Sequence, residues 1–155
     1  SRIENRDLKF MKIALNQASI GMNLGEVPVG AVITKDNKVI SQEHNSPILE
    51  NDPTAHAEIK ALRSASKKLN NYRLNDCDLY VTLEPCLMGL GALIHSRIRR
   101  IIIAAEDKKT GVIVNNGGLV NSIFFNHKIE VTTGILSEES SAMLTNFFKE
   151  RRIKA

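Results

Sequence analysis

The sequence predicts an α/β domain in which one mixed sheet carries helices on both faces. Apolar residues recur at steps of three and four along 5–23, which is typical of an amphipathic helix. The runs 27–33 and 39–44 flank a polar turn at 35–38 and indicate a β-hairpin. The run 101–105 is apolar throughout, as expected for a central strand covered on both faces. Helices and strands that alternate in this way favour one mixed sheet between helical layers.

A second helix is predicted after the loop 45–53. Asp52 suits an N-cap and Pro53 suits the first helical position, so we expect this helix to cover 54–68. The later segments are predicted from β-branched runs, helical spacing and turn residues: strand 79–83, a helical stretch 86–96, strand 101–105, a glycine- and asparagine-rich mobile loop 111–118, strand 129–133 and helix 137–151.

Composition and length predict one globular domain over residues 1–155. Hydrophobic residues make up 43% of the 155 residues and charged residues 25%, so the chain has enough apolar surface for one core and does not have the composition of a disordered protein. No apolar run approaches the roughly 18 residues that a membrane span needs. We therefore expect a cytoplasmic protein. The net charge of +4 permits a polyanionic partner without requiring one.

The two cysteines, Cys77 and Cys86, exclude a disulfide framework and a four-thiolate zinc site. Any metal site must therefore use histidine. Cys77 precedes the strand that ends near residue 83, so it should lie on the order of 20 Å from Cys86. We expect Cys77 to be a small, partly buried residue.

Three short segments carry the residues best suited to chemistry. His56 and Glu58 stand at the start of the second helix, Cys86 follows Glu84 at a strand-to-helix turn, and Asn45 precedes both. Helix starts that follow loops converge on one crevice of an α/β sheet. A thiolate is favoured at a helix N-terminus, so these residues are suited to bind a zinc ion beside a general acid or base. Each residue alone is more often simply packed or solvated.

Five sequence motifs stand out along the chain: DPTAHAE at 52–58, NYRL at 71–74, LYVTLEPC at 79–86, IHSRI at 94–98 and DKKTG at 107–111. They resemble those of the bacterial tRNA-specific adenosine deaminases of the cytidine deaminase-like superfamily, and the resemblance extends from the first helix to the last. It implies a three-layer α/β/α fold with a mixed five-stranded sheet, and a homodimer that binds a tRNA anticodon stem-loop. It also implies zinc-dependent hydrolytic deamination of adenosine to inosine at the wobble position.

The resemblance also assigns roles to individual residues. His56 matches the imidazole ligand of zinc, Cys86 the first thiolate ligand and Glu58 the proton shuttle. The remaining matches concern substrate binding. Asn45 matches an asparagine that contacts the base, and Asp107 and Lys109 match residues near the flipped nucleotide. Phe148, Arg151 and Arg152 match positions on the C-terminal helix that contacts the anticodon loop.

The chain departs from the family pattern Pro-Cys-x-x-Cys because Gly89 stands where the second thiolate is expected. Met88 points to another side of the helix and His95 lies more than two turns along, so neither replaces it. One zinc ligand is worth on the order of 3 kcal/mol, or about 100-fold in affinity. We therefore expect weakened or absent zinc and impaired deaminase activity.

Two other functions remain open at this point. A non-catalytic RNA-binding or dimerisation subunit would explain the incomplete metal motif, and zinc analysis would distinguish it from the enzyme. A deaminase of a free base such as guanine or cytosine shares the His-Ala-Glu and Pro-Cys motifs. Salt-dependent binding to an anticodon stem-loop would distinguish that enzyme from an RNA-modifying one.

Overall fold

The computed structural model describes residues 4–122 and 127–154. Within these ranges the chain forms a five-stranded sheet and five α-helices. The elements in chain order are α1 (Asn5–Asn23), β1 (Gly30–Lys35), β2 (Lys38–His44), α2 (Pro47–Glu50), α3 (Ala57–Leu69), β3 (Cys77–Leu83), α4 (Leu87–Ser96), β4 (Arg100–Ala105), a 3₁₀ turn (Leu119–Asn121), β5 (Glu130–Thr133) and α5 (Ser137–Lys154).

The strand order β2-β1-β3-β4-β5 makes the sheet mixed, as predicted. Strand β1 pairs antiparallel with β2 and with β3, whereas β3, β4 and β5 are parallel to one another. The apolar strand β4 lies inside the sheet between β3 and β5, which agrees with its buried sequence.

Alternate residues of the central strands face two separate cores. Ile33, Leu79 and Ile101 belong to the core that α3 and α4 cover. Val32, Tyr80 and Ile102 point the other way, into a core that includes residues of α1. Helix α5 contacts α1, β3 and β4. The predicted three-layer α/β/α arrangement is thus confirmed, with α3 and α4 forming one outer layer.

The helices differ from the sequence prediction at the start of α3, in the loop before it and at the end of α5, which reaches Lys154 rather than 151. Helix α3 begins at Ala57 rather than at 54, because Asp52 accepts hydrogen bonds from the backbone N–H and hydroxyl of Thr54, both at 2.8 Å. Asp52 therefore stabilises a turn before the helix instead of capping it. The loop predicted over 45–53 contains the short helix α2.

The strand boundaries also shift. Strand β1 begins at Gly30, three residues later than predicted, where the strand passes against α1 so closely that a Cβ on Gly30 would overlap the carbonyl of Ala14. Strand β3 begins at Cys77, whose side chain is 1% exposed and therefore more deeply buried than predicted. In the described parts of the chain, no helix is long and apolar enough to span a membrane.

Candidate active site

Five of the residues predicted for the site line one cavity of about 130 Å³. Asn45 follows β2, His56 is the N-cap of α3, and Cys86 is the N-cap of α4. Strand β1 pairs antiparallel with both β2 and β3, so the carboxyl ends of β2 and β3 lie at the same end of the sheet. The contacts of Asn45 with Ala57 and of His56 with Cys86 bring the start of α3 to the same place. The cavity wall includes Asn45, His56, Glu58, Cys86 and Asp107.

His56 and Cys86 form a close pair at this edge. The Nδ1 atom of His56 lies 3.8 Å from the Sγ atom of Cys86. Hydrogen bonding to Cys86 raises the pKa of His56 above its ordinary value, against the opposing effect of partial burial. The same contact lowers the pKa of Cys86, and the backbone N–H groups of Gly89 and Met88 add to this effect. The pair thus favours an imidazolium beside a thiolate.

Glu58 lies behind this pair in the first turn of α3, and its side chain is 3% exposed. Burial raises the pKa of the Glu58 carboxyl, because removal from water penalises the charged form. A Cβ placed on Gly89 would overlap the Oε2 atom of Glu58. The carboxyl group of Glu58 therefore lies in the space that a side chain at position 89 would need.

The donor set does not complete a zinc site of the expected kind. His56 and Cys86 are close enough to bind one ion together, but Gly89 supplies no donor. Met88 and His95 line a separate groove between α3 and α4 and are not part of the cavity wall. Across residues 4–122 and 127–154, no three His, Cys, Asp or Glu side chains are arranged to hold a metal ion.

Asn45 has a structural contact as well as a place in the cavity wall. Its Oδ1 atom accepts a hydrogen bond of 2.7 Å from the backbone N–H of Ala57, the first residue of α3. This bond satisfies one of the free donors at the helix start. The amide nitrogen of Asn45 is then the part of the side chain that can donate to a ligand.

The segment after β4 contributes Asp107 and Thr110 to the cavity wall. The Asp107 carboxylate accepts hydrogen bonds from the backbone N–H groups of Lys109 and Thr110 and from the Thr110 hydroxyl. Lys109 is exposed and does not line the cavity. The structure thus brings Asp107 to the cavity and leaves Lys109 at the surface beside it.

The residues predicted on α5 lie outside the cavity. Phe147 is buried, whereas Phe148 is 44% exposed. The guanidinium of Arg151 donates a hydrogen bond of 2.6 Å to the carbonyl of Gly25 and lies over the Phe147 ring. Arg152 is exposed. Helix α5 is thereby tied to the segment that leads from α1 into the cavity wall at Val27.

Sequence reasoning missed the role of Glu84. This buried carboxylate accepts hydrogen bonds from the N–H groups of four residues after β4. The segment 111–118, expected to be mobile, therefore has a bonded backbone at 113–115. An acidic residue at the buried end of a strand was the available signal, because such a charge needs several donors nearby. The four residues are Asp107, Ile113, Val114 and Asn115.

The mixed sheet, with an imidazole, a carboxyl and a thiol at two helix starts, is the arrangement that the comparisons with known proteins place in the cytidine deaminase-like class. A profile of the MafB19-like deaminases matches residues 5–152. The tRNA-specific adenosine deaminase of Haemophilus influenzae is 48% identical over 94% of this chain and 85% of its own length. That of Buchnera aphidicola subsp. Baizongia pistaciae is 47% identical over 97% of this chain and 93% of its own length. The chain belongs to the MafB19-like deaminase family and to the family of the tRNA-specific adenosine deaminases.

Solved structures agree with this membership. A structure from work on A-to-I editing by tRNA:A34 deaminases at the wobble position matches with a TM-score of 0.85 and 39% identity, over 88% of this chain and 99% of that one. A guanine deaminase from Bacillus subtilis matches with a TM-score of 0.62 and 43% identity, over 67% of this chain and 66% of that one. The fold and its deaminase class are thus common to both matches.

Proposed function

We propose that this chain is a tRNA-modifying hydrolytic deaminase that converts adenosine to inosine at the wobble position of a tRNA anticodon. The observation that carries the proposal is the identity of 48% and 47% to tRNA-specific adenosine deaminases over nearly the whole chain. The convergence of His56, Glu58 and Cys86 on one cavity supports it.

Glu58 is the residue proposed to move protons in this reaction. In a hydrolytic deamination the attacking water gives up two protons, one to a ring nitrogen of the base and one to the departing amine, and a buried carboxyl can carry them one at a time. Burial raises the pKa of Glu58 and so favours the protonated form that donates. Its place in the cavity wall puts it within reach of a bound base.

Zinc is the metal that the family resemblance implies, with His56 and Cys86 as its donors. Two donors hold the ion less tightly than three, and Gly89 cannot supply the third. We infer that this chain binds zinc weakly or not at all and that its deaminase activity is reduced accordingly.

The cavity suits one base of a larger ligand. Its volume of about 130 Å³ is below the range of roughly 300 Å³ and more that holds a drug-sized molecule. A base flipped out of a single-stranded loop would fit this description, with Asn45 and Asp107 as its proposed contacts. The proposed contacts to the rest of the anticodon loop are Lys109 beside the cavity and Phe148, Arg151 and Arg152 on α5.

The test is inosine formation in an anticodon stem-loop. With adenosine at the wobble position, the protein is expected to bind the stem-loop and to form inosine slowly. In the matched control stem-loop the adenosine stands one position further along the loop. A Glu58→Gln variant is the inactive control protein. Conversion of free guanine in place of the stem-loop, or equal conversion of both stem-loops, would contradict the proposal.

Two observations each favour a different function. The incomplete donor set favours a non-catalytic RNA-binding or dimerisation subunit, which would bind the stem-loop and form no inosine. The match to a guanine deaminase favours action on a free base, although it covers 67% of this chain, compared with 94% for the tRNA deaminase of Haemophilus influenzae. The stem-loop assay distinguishes all three.

We further infer that the protein is a homodimer whose second copy covers an apolar groove of about 560 Å³ between α3 and α4. The groove is lined by Ile59 and Leu62 of α3 and by Met88 and Ala92 of α4, with Tyr72 at its side, 67% exposed. Met88 is two residues from Cys86, so the groove borders the active site. A partner there would bring its own surface next to bound RNA, which suits a chain of modest positive charge.

An Ala92→Glu variant is expected to shift the protein from dimer to monomer, because the dimer would bury the larger, charged side chain in a groove whose lining is mostly apolar. Sedimentation velocity at several protein concentrations measures the shift. The matched control is Ile20→Glu, which alters an apolar residue, 41% exposed, on α1 at the other face of the sheet. A monomeric wild type, or an unchanged dimer in the Ala92 variant, would refute this interface.

A tRNA substrate also implies a cytoplasmic location. We propose that residues 1–155 act as one deaminase-like domain, which the profile match over 5–152 supports.

A further inference from the structure

Glu84 stands between β3 and α4, and its side chain is 3% exposed. Its Oε1 atom accepts hydrogen bonds from the backbone N–H of Asp107 at 3.0 Å and from the side-chain amide of Asn115 at 2.5 Å. Its Oε2 atom accepts three backbone N–H groups at 2.9 to 3.0 Å, those of Ile113, Val114 and Asn115. One buried carboxylate thus binds both ends of the segment 107–115.

The segment wraps closely around this carboxylate. A Cβ on Gly111 would overlap the carboxyl carbon of Glu84 and press on the carbonyl of Asp107, so a glycine is needed at this point. The backbone N–H of Val112 also donates to the carbonyl of Pro85 at 3.1 Å. Asn116 adds hydrogen bonds to carbonyls within the same segment. The segment is therefore held at Glu84 and Pro85, directly before Cys86.

The same segment forms one wall of the active-site cavity. Asp107 and Thr110 line the cavity, and the Asp107 carboxylate orients Thr110 through three hydrogen bonds to the 109–110 turn. Glu84 also borders the cavity, but both of its oxygens already accept hydrogen bonds from the protein. Its effect on a bound base therefore passes through the segment that it holds.

We propose that Glu84 is a positioning residue that fixes the segment 107–115 as the wall of the cavity and thereby sets the affinity for the RNA substrate. The RNA part of this inference rests on the proposed function, whereas the ordering of the segment does not. A carboxylate is required because five donors converge on it. A neutral amide of the same shape offers only one acceptor oxygen. Its NH2 group would point two N–H donors at the backbone donors that the second carboxylate oxygen accepts.

The test compares Glu84→Gln with Glu106→Gln by amide hydrogen exchange and by binding to an anticodon stem-loop at fixed salt. Glu106 is the matched control because it is exposed and accepts one hydrogen bond from the same Asn115 side chain. In Glu84→Gln, protection of the amides at 113–115 is expected to fall by about tenfold or more, since hydrogen bonds to a charged acceptor are the stronger ones. The stem-loop Kd is expected to rise, whereas the control changes neither quantity.

The unfolding midpoint separates positioning from a merely structural role. A structural role would lower the midpoint and leave the Kd of the folded protein unchanged, which would overturn the proposal. Unchanged exchange at 113–115 would overturn it as well. If Glu84→Gln does not fold, Asn115→Ala takes its place. Lower amide protection in the segment 107–115 together with weaker binding of the stem-loop supports the proposal, and any other result overturns it. If the wild-type protein binds no RNA, but the amides at 113–115 lose protection in Glu84→Gln, the proposed function is refuted and the ordering role of Glu84 stands.

Discussion

A Gly89→Cys variant is expected to contain close to one zinc ion per chain, whereas the wild-type chain contains much less. The substitution adds a thiolate one helical turn from Cys86, on the side of α4 that faces Glu58. A third donor is worth on the order of 3 kcal/mol, or about 100-fold in zinc affinity. Inosine formation is expected to rise in proportion to the zinc-loaded fraction. Metal analysis of dialysed protein and the stem-loop assay measure the two effects.

The structure adds a steric effect that needs its own control. A side chain at position 89 overlaps the carboxyl of Glu58 and approaches the Cβ of Pro85 at 3.1 Å, so Glu58 must move in any such variant. Gly89→Ala moves Glu58 without supplying a donor. We expect this variant to gain neither zinc nor activity. Equal zinc in the wild type and the cysteine variant, or an equal gain in the alanine variant, would show that the missing donor does not limit metal binding.

An Asp7→Asn variant is expected to lower the free energy of unfolding by about 3 kcal/mol at neutral pH, because it leaves a largely buried guanidinium without its counter-charge. The Asp7 side chain is 2% exposed, and it binds Arg100, which is 13% exposed. Arg100 donates two hydrogen bonds to it, at 3.1 and 2.6 Å, and the Tyr80 hydroxyl donates another at 2.7 Å. This network ties α1 to β3 and β4. Urea denaturation measures the change.

The matched control for this prediction is Asp78→Asn. Asp78 is also buried and binds Arg99 through two hydrogen bonds, but Arg99 is 51% exposed and can be solvated when the partner is lost. We expect a loss of about 1 kcal/mol there. Equal losses in the two variants would show that burial of the arginine does not set the effect.

The Asp7 effect should also depend on pH. Burial acts to raise the pKa of Asp7, but hydrogen bonds from Arg100 and Tyr80 outweigh it and hold the pKa below its ordinary value of 3.8. The unfolded chain therefore binds the proton more readily, and the stabilisation is present above that value. It is lost as the pH falls through the pKa of the folded state. The difference between wild type and Asp7→Asn should accordingly narrow in acid.

Local patterns predicted the elements whose signals lie within the segment itself. The periodic apolar residues predicted helix α1 with both of its ends correct, at Asn5 and Asn23. The start of α3 could not be predicted in this way. Its boundary depends on the Asn45 oxygen that meets Ala57 across the cavity, and on Asp52, which binds Thr54 instead of the helix. Local propensity does not include such contacts between distant segments.

The sequence by itself determined the order of the elements, the mixed sheet, the pairing of His56 with Cys86 and the absence of a thiol at Gly89. These properties follow from the types of the residues and from their spacing along the chain. Only the tertiary structure decided that the Glu58 carboxyl occupies the space beside Gly89 and that Glu84 holds the wall of the cavity. Both depend on which groups meet when separate segments pack. Five hydrogen-bond donors converge on the Glu84 carboxylate, whereas the Glu58 carboxyl lies where Gly89 leaves room for it.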